Sequence, residues 1–72
     1  MKVNERSDMM LRALQAKYQG EKDYHKANID IYLSNPAGIG EHPDVLAAVD
    51  AEVERMVAAD EKINLLLNYW EF

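Results

Sequence analysis

The sequence is expected to fold as an all-α, antiparallel two-helix hairpin that assembles with copies of itself into a four-helix or larger bundle. Three observations point there. Apolar residues in the C-terminal half recur with an alternating step of three and four residues. A proline- and glycine-bearing segment, Asn35-Pro36-Ala37-Gly38-Ile39-Gly40-Glu41-His42, divides the chain near its middle. At 72 residues with no cysteine, the chain has neither the size nor the disulfides to make a hairpin stable alone. Small domains without such staples commonly complete their core by association. Residues 1–72 read as a single domain.

The first helix is expected over about residues 5–34. Asn4 or Ser7 can cap it, because a side-chain oxygen there accepts one of the first unpaired helix amides. Met10, Leu11, Leu14 and Tyr18 form one apolar group, and Tyr24, Ala27, Ile29, Ile31, Tyr32 and Leu33 a second. Between them lies the polar run Gln19-Gly20-Glu21-Lys22-Asp23, whose glycine costs about 1 kcal/mol against alanine inside a helix. Two readings compete, one continuous helix with a soft point or a break at Gly20, and the continuous helix is preferred. Pro36 disfavours helical dihedrals at Asn35 and ends the element.

The connection is expected over residues 35–42. There the glycines serve turning, and Ile39 plugs the hairpin end. Pro43 suits the first position of the second helix, with His42 as cap and Asp44 in the first turn, where the helix dipole favours negative charge.

The second helix, about 43–69, carries the strongest signal. Leu46, Val49, Val53, Met56, Ile63, Leu67 and Trp70 fall on a seven-residue repeat, with Asp60 in the one polar slot. That spacing is the signature of helix packing along a seam. Folding about the loop pairs positions whose numbers sum to about 76. Leu46 then meets Ile31 or Ile29, Val53 lies near Tyr24, Met56 crosses at Gly20, Ile63 meets Leu14 and Leu67 meets Met10. Asp60 falls near Ala16 and Tyr18, where the Tyr18 hydroxyl is a hydrogen-bond partner, and a polar seam residue of this kind sets register or oligomer state. Toward the end the helix is apolar nearly all round. Leu65, Leu66, Tyr69 and Trp70 cannot all be covered by one partner helix and are the expected interface.

Charge supports the hairpin and narrows the function. The net charge of −5 disfavours a nucleic-acid-coating role. Residues 1–26 hold six basic and four acidic residues, and residues 27–72 two basic and nine acidic, so the two halves attract. No apolar run approaches the ~20 residues that span a membrane, and no signal-peptide pattern opens the chain, so a cytoplasmic location is expected without membrane partners.

Candidate chemistry is sparse. Gly38-Ile39-Gly40 at a helix start, with His42 beside it, has the outline of an anion-binding loop, since glycines let backbone amides face a phosphate. Glu41 and Asp44 would repel that phosphate. His42 with Glu41 and Asp44, or Glu21 with His25, has metal-ligand residue types but lacks the Glu-x-x-His pattern of di-metal bundles. Ser7 and Ser34 have no evident histidine partner and there is no cysteine, so no nucleophile is assigned. No catalytic, metal or cofactor residue is therefore expected, and the chain is read as not an enzyme.

The stretch Asn35-Pro36-Ala37-Gly38-Ile39-Gly40-Glu41-His42-Pro43-Asp44, continuing to Asp50 and to Ala58-Ala59-Asp60-Glu61-Lys62, resembles small helical-hairpin proteins of T4-like tailed phages, marine cyanophages included. The resemblance covers about residues 35–62. It implies a phage-encoded product acting in the host cytoplasm or in the virion, and it assigns no activity and no functional residue. The function expected from all of this is an oligomeric interaction protein that binds a host or phage protein. The alternative is a small-ligand binder that sequesters a nucleotide second messenger of host defence through the glycine loop.

Overall fold

The structure is a computed structural model that describes residues 1–34 and 44–72. Two helices, α1 (Glu5–Ser34) and α2 (Val45–Tyr69), lie side by side as an all-α helical hairpin about 53 Å long. The expected loop 35–42, with Gly38, Ile39, Gly40 and His42, and Pro43 as the first residue of the second helix, lie outside the described residues.

α1 is one continuous helix of 30 residues that passes through Gly20 without interruption. Asn4 is its cap. The Asn4 Oδ1 accepts from the Ser7 amide at 2.8 Å, and the Asn4 carbonyl takes the Asp8 amide at 2.8 Å. At the other end Ser34 turns its hydroxyl back onto the Asp30 carbonyl at 2.7 Å. α2 starts later than the sequence suggests. Asp44 is not a first-turn residue but the cap, its Oδ1 accepting from the Ala47 amide at 2.9 Å.

The hairpin seam differs from the expected one by a single residue on half of its positions. Val49, Met56, Ile63 and Trp70 do face α1, but their companions are Val45, Glu52, Ala59 and Leu66. The expected companions Leu46, Val53 and Leu67 are 83%, 43% and 53% exposed. Both rows obey the same three-four spacing, so periodicity cannot separate them. The facing row of α1 decides between them. It runs Leu11, Gln15, Tyr18, Lys22, His25, Ile29 and Tyr32, half-buried and largely polar, because the larger apolar residues Met10, Leu14, Tyr24 and Ile31 lie on another row and are exposed. A polar row of donors favours Glu52 opposite it, and Ala59 lets the two backbones approach.

The register differs as well. His25 meets Glu52, Tyr18 meets Lys62 and Lys22 meets Asp60, so paired numbers sum to between 77 and 82 and not to 76. The described helices end at Ser34 and begin again at Val45, whose numbers sum to 79. Gly20 consequently does not receive Met56; a methyl group built on Gly20 would meet nothing within 4 Å. Asp60 does not bond Tyr18 but pairs with the Lys22 ammonium at 2.8 Å on the rim of the seam.

At the end away from the connection the two termini clasp each other. The Met1 nitrogen donates to the Tyr69 carbonyl at 2.8 Å, the Glu71 amide to the Met1 carbonyl at 2.8 Å, and Lys2 and Glu71 form a single parallel bridge. Arg12 lies over the Phe72 ring, 6.0 Å from its centroid.

Candidate functional site

Among the described residues, the buried core amounts to Ala59, Ile63, Leu66 and one charged residue, Glu52, which is 8% exposed. A carboxylate at that depth must be hydrogen-bonded to be tolerated. Glu52 Oε2 lies 2.6 Å from His25 Nδ1 and accepts from Asn28 Nδ2 at 3.3 Å, while Oε1 accepts from an Arg55 guanidinium nitrogen at 3.0 Å. The short bond to His25, helped by Asn28 and by the positive charges of His25 and Arg55, holds the Glu52 carboxyl below the usual carboxylate range against the opposing pull of burial. An ionised carboxylate can only accept, so the His25 proton facing it sits on Nδ1. The Tyr24 ring packs edge-on against the imidazole with centroids 5.1 Å apart.

This cluster is an ion-pair and hydrogen-bond layer inside a helix pair. It has no nucleophile beside it, and no group of three or more metal-ligating side chains occurs among the described residues. The sequence places His25 one turn from Glu21, and in the structure its imidazole bonds Glu52 of the other helix. The signal was present in the His25–Asn28 and Glu52–Arg55 spacings, each of which brings two polar side chains to one side of a helix.

Two depressions flank the seam. One is an open groove of about 460 Å³ at the clasped end, walled by Met10, Leu11, Leu14, Trp70 and the first residues of the chain. The other is a shallow hollow of about 270 Å³, bordered by Val53, Met56, Val57 and the Lys22–Asp60 pair. Of the four expected interface residues, Leu66 is buried against α1, Trp70 is half-buried and lines the groove, and Leu65 and Tyr69 are exposed. Leu65 and Tyr69, one turn apart on α2, are thus the two of the four that stay open on the hairpin surface.

No described helix is long and apolar enough to cross a membrane. No family model, curated protein or solved structure matches the chain.

Proposed function

We propose that this chain is an interaction module that acts by self-association and protein binding, without chemistry of its own. The observation that carries the reading is the imbalance between core and surface. Three apolar side chains are buried among the described residues, whereas both helices expose long apolar residues along their length, among them Met10, Tyr24, Ile31, Leu46, Leu65 and Tyr69. The accessible surface is 5557 Å², against about 4,600 Å² for a compact protein of this mass. Scattered apolar residues on a surface are ordinary, but contiguous rows at helix-packing spacing mark a place for another helix. Sedimentation velocity tests the reading: a mass at or above twice the 8.3 kDa of the chain supports it. A host or phage protein as the eventual target enters through the loop resemblance alone.

The nucleotide reading gains nothing from the described residues. Its glycine loop lies outside them, and two of the lysines it would borrow are engaged, Lys22 with Asp60 at 2.8 Å and Lys26 with Asp30 at 2.9 Å. A thermal-shift screen with nucleotides that raised the melting temperature would favour it over the interaction reading.

A further inference from the structure

We propose that the hairpin is an acid-opened hinge, latched toward the connection by Glu52, so that protonating this one carboxylate parts α1 and α2 there while the clasped end stays closed. The device belongs to the single hairpin and does not depend on self-association.

The two halves of the hairpin are held together differently. Ala59, Ile63 and Leu66, the buried apolar residues among those described, all lie beyond Met56 toward the clasp. Between Val45 and Met56 only Glu52 is buried, and α1 buries no residue. The clasped end is tied further by the backbone bonds between Met1 and Tyr69 and between Glu71 and Met1, both 2.8 Å. Toward the connection, two hydrogen bonds cross between the described helices, from His25 at 2.6 Å and from Asn28 at 3.3 Å, and both end on Glu52 Oε2. The next crossing, Lys22 to Asp60 at 2.8 Å, lies on the rim. One carboxylate oxygen therefore carries the polar closure of that half.

Both oxygens of Glu52 are committed as acceptors, Oε2 to His25 and Asn28 and Oε1 to Arg55. A proton added to either converts an acceptor into a hydroxyl facing N–H donors and removes the anion that gathers them. Donors left unpaired at that depth favour separation of the helices into water. The charged and titratable groups around the layer offer no substitute. On α1, Glu21 and Lys22 lie one turn before His25, and the Tyr24 ring stands edge-on to the imidazole. Glu21 shares a helix with His25 and cannot tie it to α2. On α2, Arg55 is a donor, and Asp60 is taken by Lys22. The sign follows from the lowered titration of Glu52 in the closed hairpin. In the opened form the carboxyl returns to its ordinary value near 4.5, so the open form binds more protons and falling pH draws the hairpin toward it. Parting the helices bares Ile29, Tyr32, Val45 and Val49, half-buried in the closed form.

The absence of cysteine allows paired nitroxide labels at chosen sites of the full chain. Leu33→Cys with Ala47→Cys reports the connection half, and Ala13→Cys with Asn68→Cys the clasped half; all four positions are exposed. Electron–electron distances are measured at pH 7 and at about pH 3.5. The expected result is a longer 33/47 component in acid with the 13/68 distance unchanged. In Glu52→Gln the longer 33/47 component should be present already at pH 7 and insensitive to acid. Asp60→Asn, which removes the other carboxylate bonded across the helices, should keep the wild-type response. An unchanged 33/47 distance in the wild type, or both pairs lengthening together, would overturn the hinge. An acid response that survives in Glu52→Gln or disappears in Asp60→Asn would overturn Glu52 as the latch. Should Glu52→Gln fail to fold, the two label pairs in the wild type and in Asp60→Asn still decide between these outcomes.

Discussion

Glu52 is the residue on which the hairpin's alignment turns. Two of its three partners, His25 and Asn28, come from α1, so sliding α1 by one turn would leave the seam carboxylate with Arg55 of its own helix alone, which is costlier than losing an ordinary contact. His25→Ala should lower the melting temperature by several degrees, and Glu52→Gln should restore part of the loss in that background. The pH dependence follows from the direction of the Glu52 shift. A carboxyl held below its usual value contributes stability that is present above its unfolded value near 4.5 and is lost as pH falls through the lowered folded value. Acid unfolding midpoints measured by circular dichroism should therefore be less pH-sensitive in Glu52→Gln than in the wild type. Gly20 is a contrasting case. It is exposed in mid-helix with open space around it, so Gly20→Ala should stabilise by about 1 kcal/mol, or about 4–8 °C for a domain of this size. A melting temperature that fell would show that the glycine serves an assembly contact absent from the single hairpin. Asp60 pairs with Lys22 at the rim and not inside the seam. Asp60→Leu should leave the hairpin folded and extend the apolar row of Val53, Val57 and Leu67, raising association as read by sedimentation.

At the scale of the helices, the sequence makes the elements legible and leaves their facing ambiguous. Asn4 and Ser34 bound α1 as the capping and proline signals suggest, and the seven-residue repeat marks α2. The choice between Leu46/Val53/Leu67 and Val45/Glu52/Ala59/Leu66 was not legible, because hydrophobicity favours the first row and only the polar seam of α1 favours the second. Asp44 suits the first turn and the cap equally by its short side chain, and the structure uses it as the cap, so α2 starts two residues later than the proline signal suggests. The clasp between Met1–Lys2 and Tyr69–Glu71 leaves no periodic trace in either segment and was missed. Ile63 is the largest gain from the correct seam, since it is among the few buried side chains. Ile63→Ala should cost about 2–5 kcal/mol and, in so small a core, unfold much of the population at 25 °C by circular dichroism. Leu67→Ala, equally apolar but exposed, should cost far less to the hairpin and act mainly on assembly.

The whole molecule is a rod whose two faces differ. One carries Met10, Leu14, Tyr24 and Ile31 of α1 beside Arg55, Ala58, Lys62, Leu65 and Tyr69 of α2, and the other carries Val53, Val57 and Leu67 beside polar residues of α1. Under the self-association proposed above, a hairpin with so little buried apolar surface gains its remaining stability from what covers those faces, and folding is tied to association. The measurement that tests this most directly is thermal unfolding followed across a roughly hundredfold range of protein concentration, because binding restricted to the folded state raises the midpoint by mass action. A melting temperature that climbs steadily with concentration, in step with a dimer or larger species in the ultracentrifuge, is the expected result. A melting temperature independent of concentration, with the 8.3 kDa monomer persisting throughout, would contradict it.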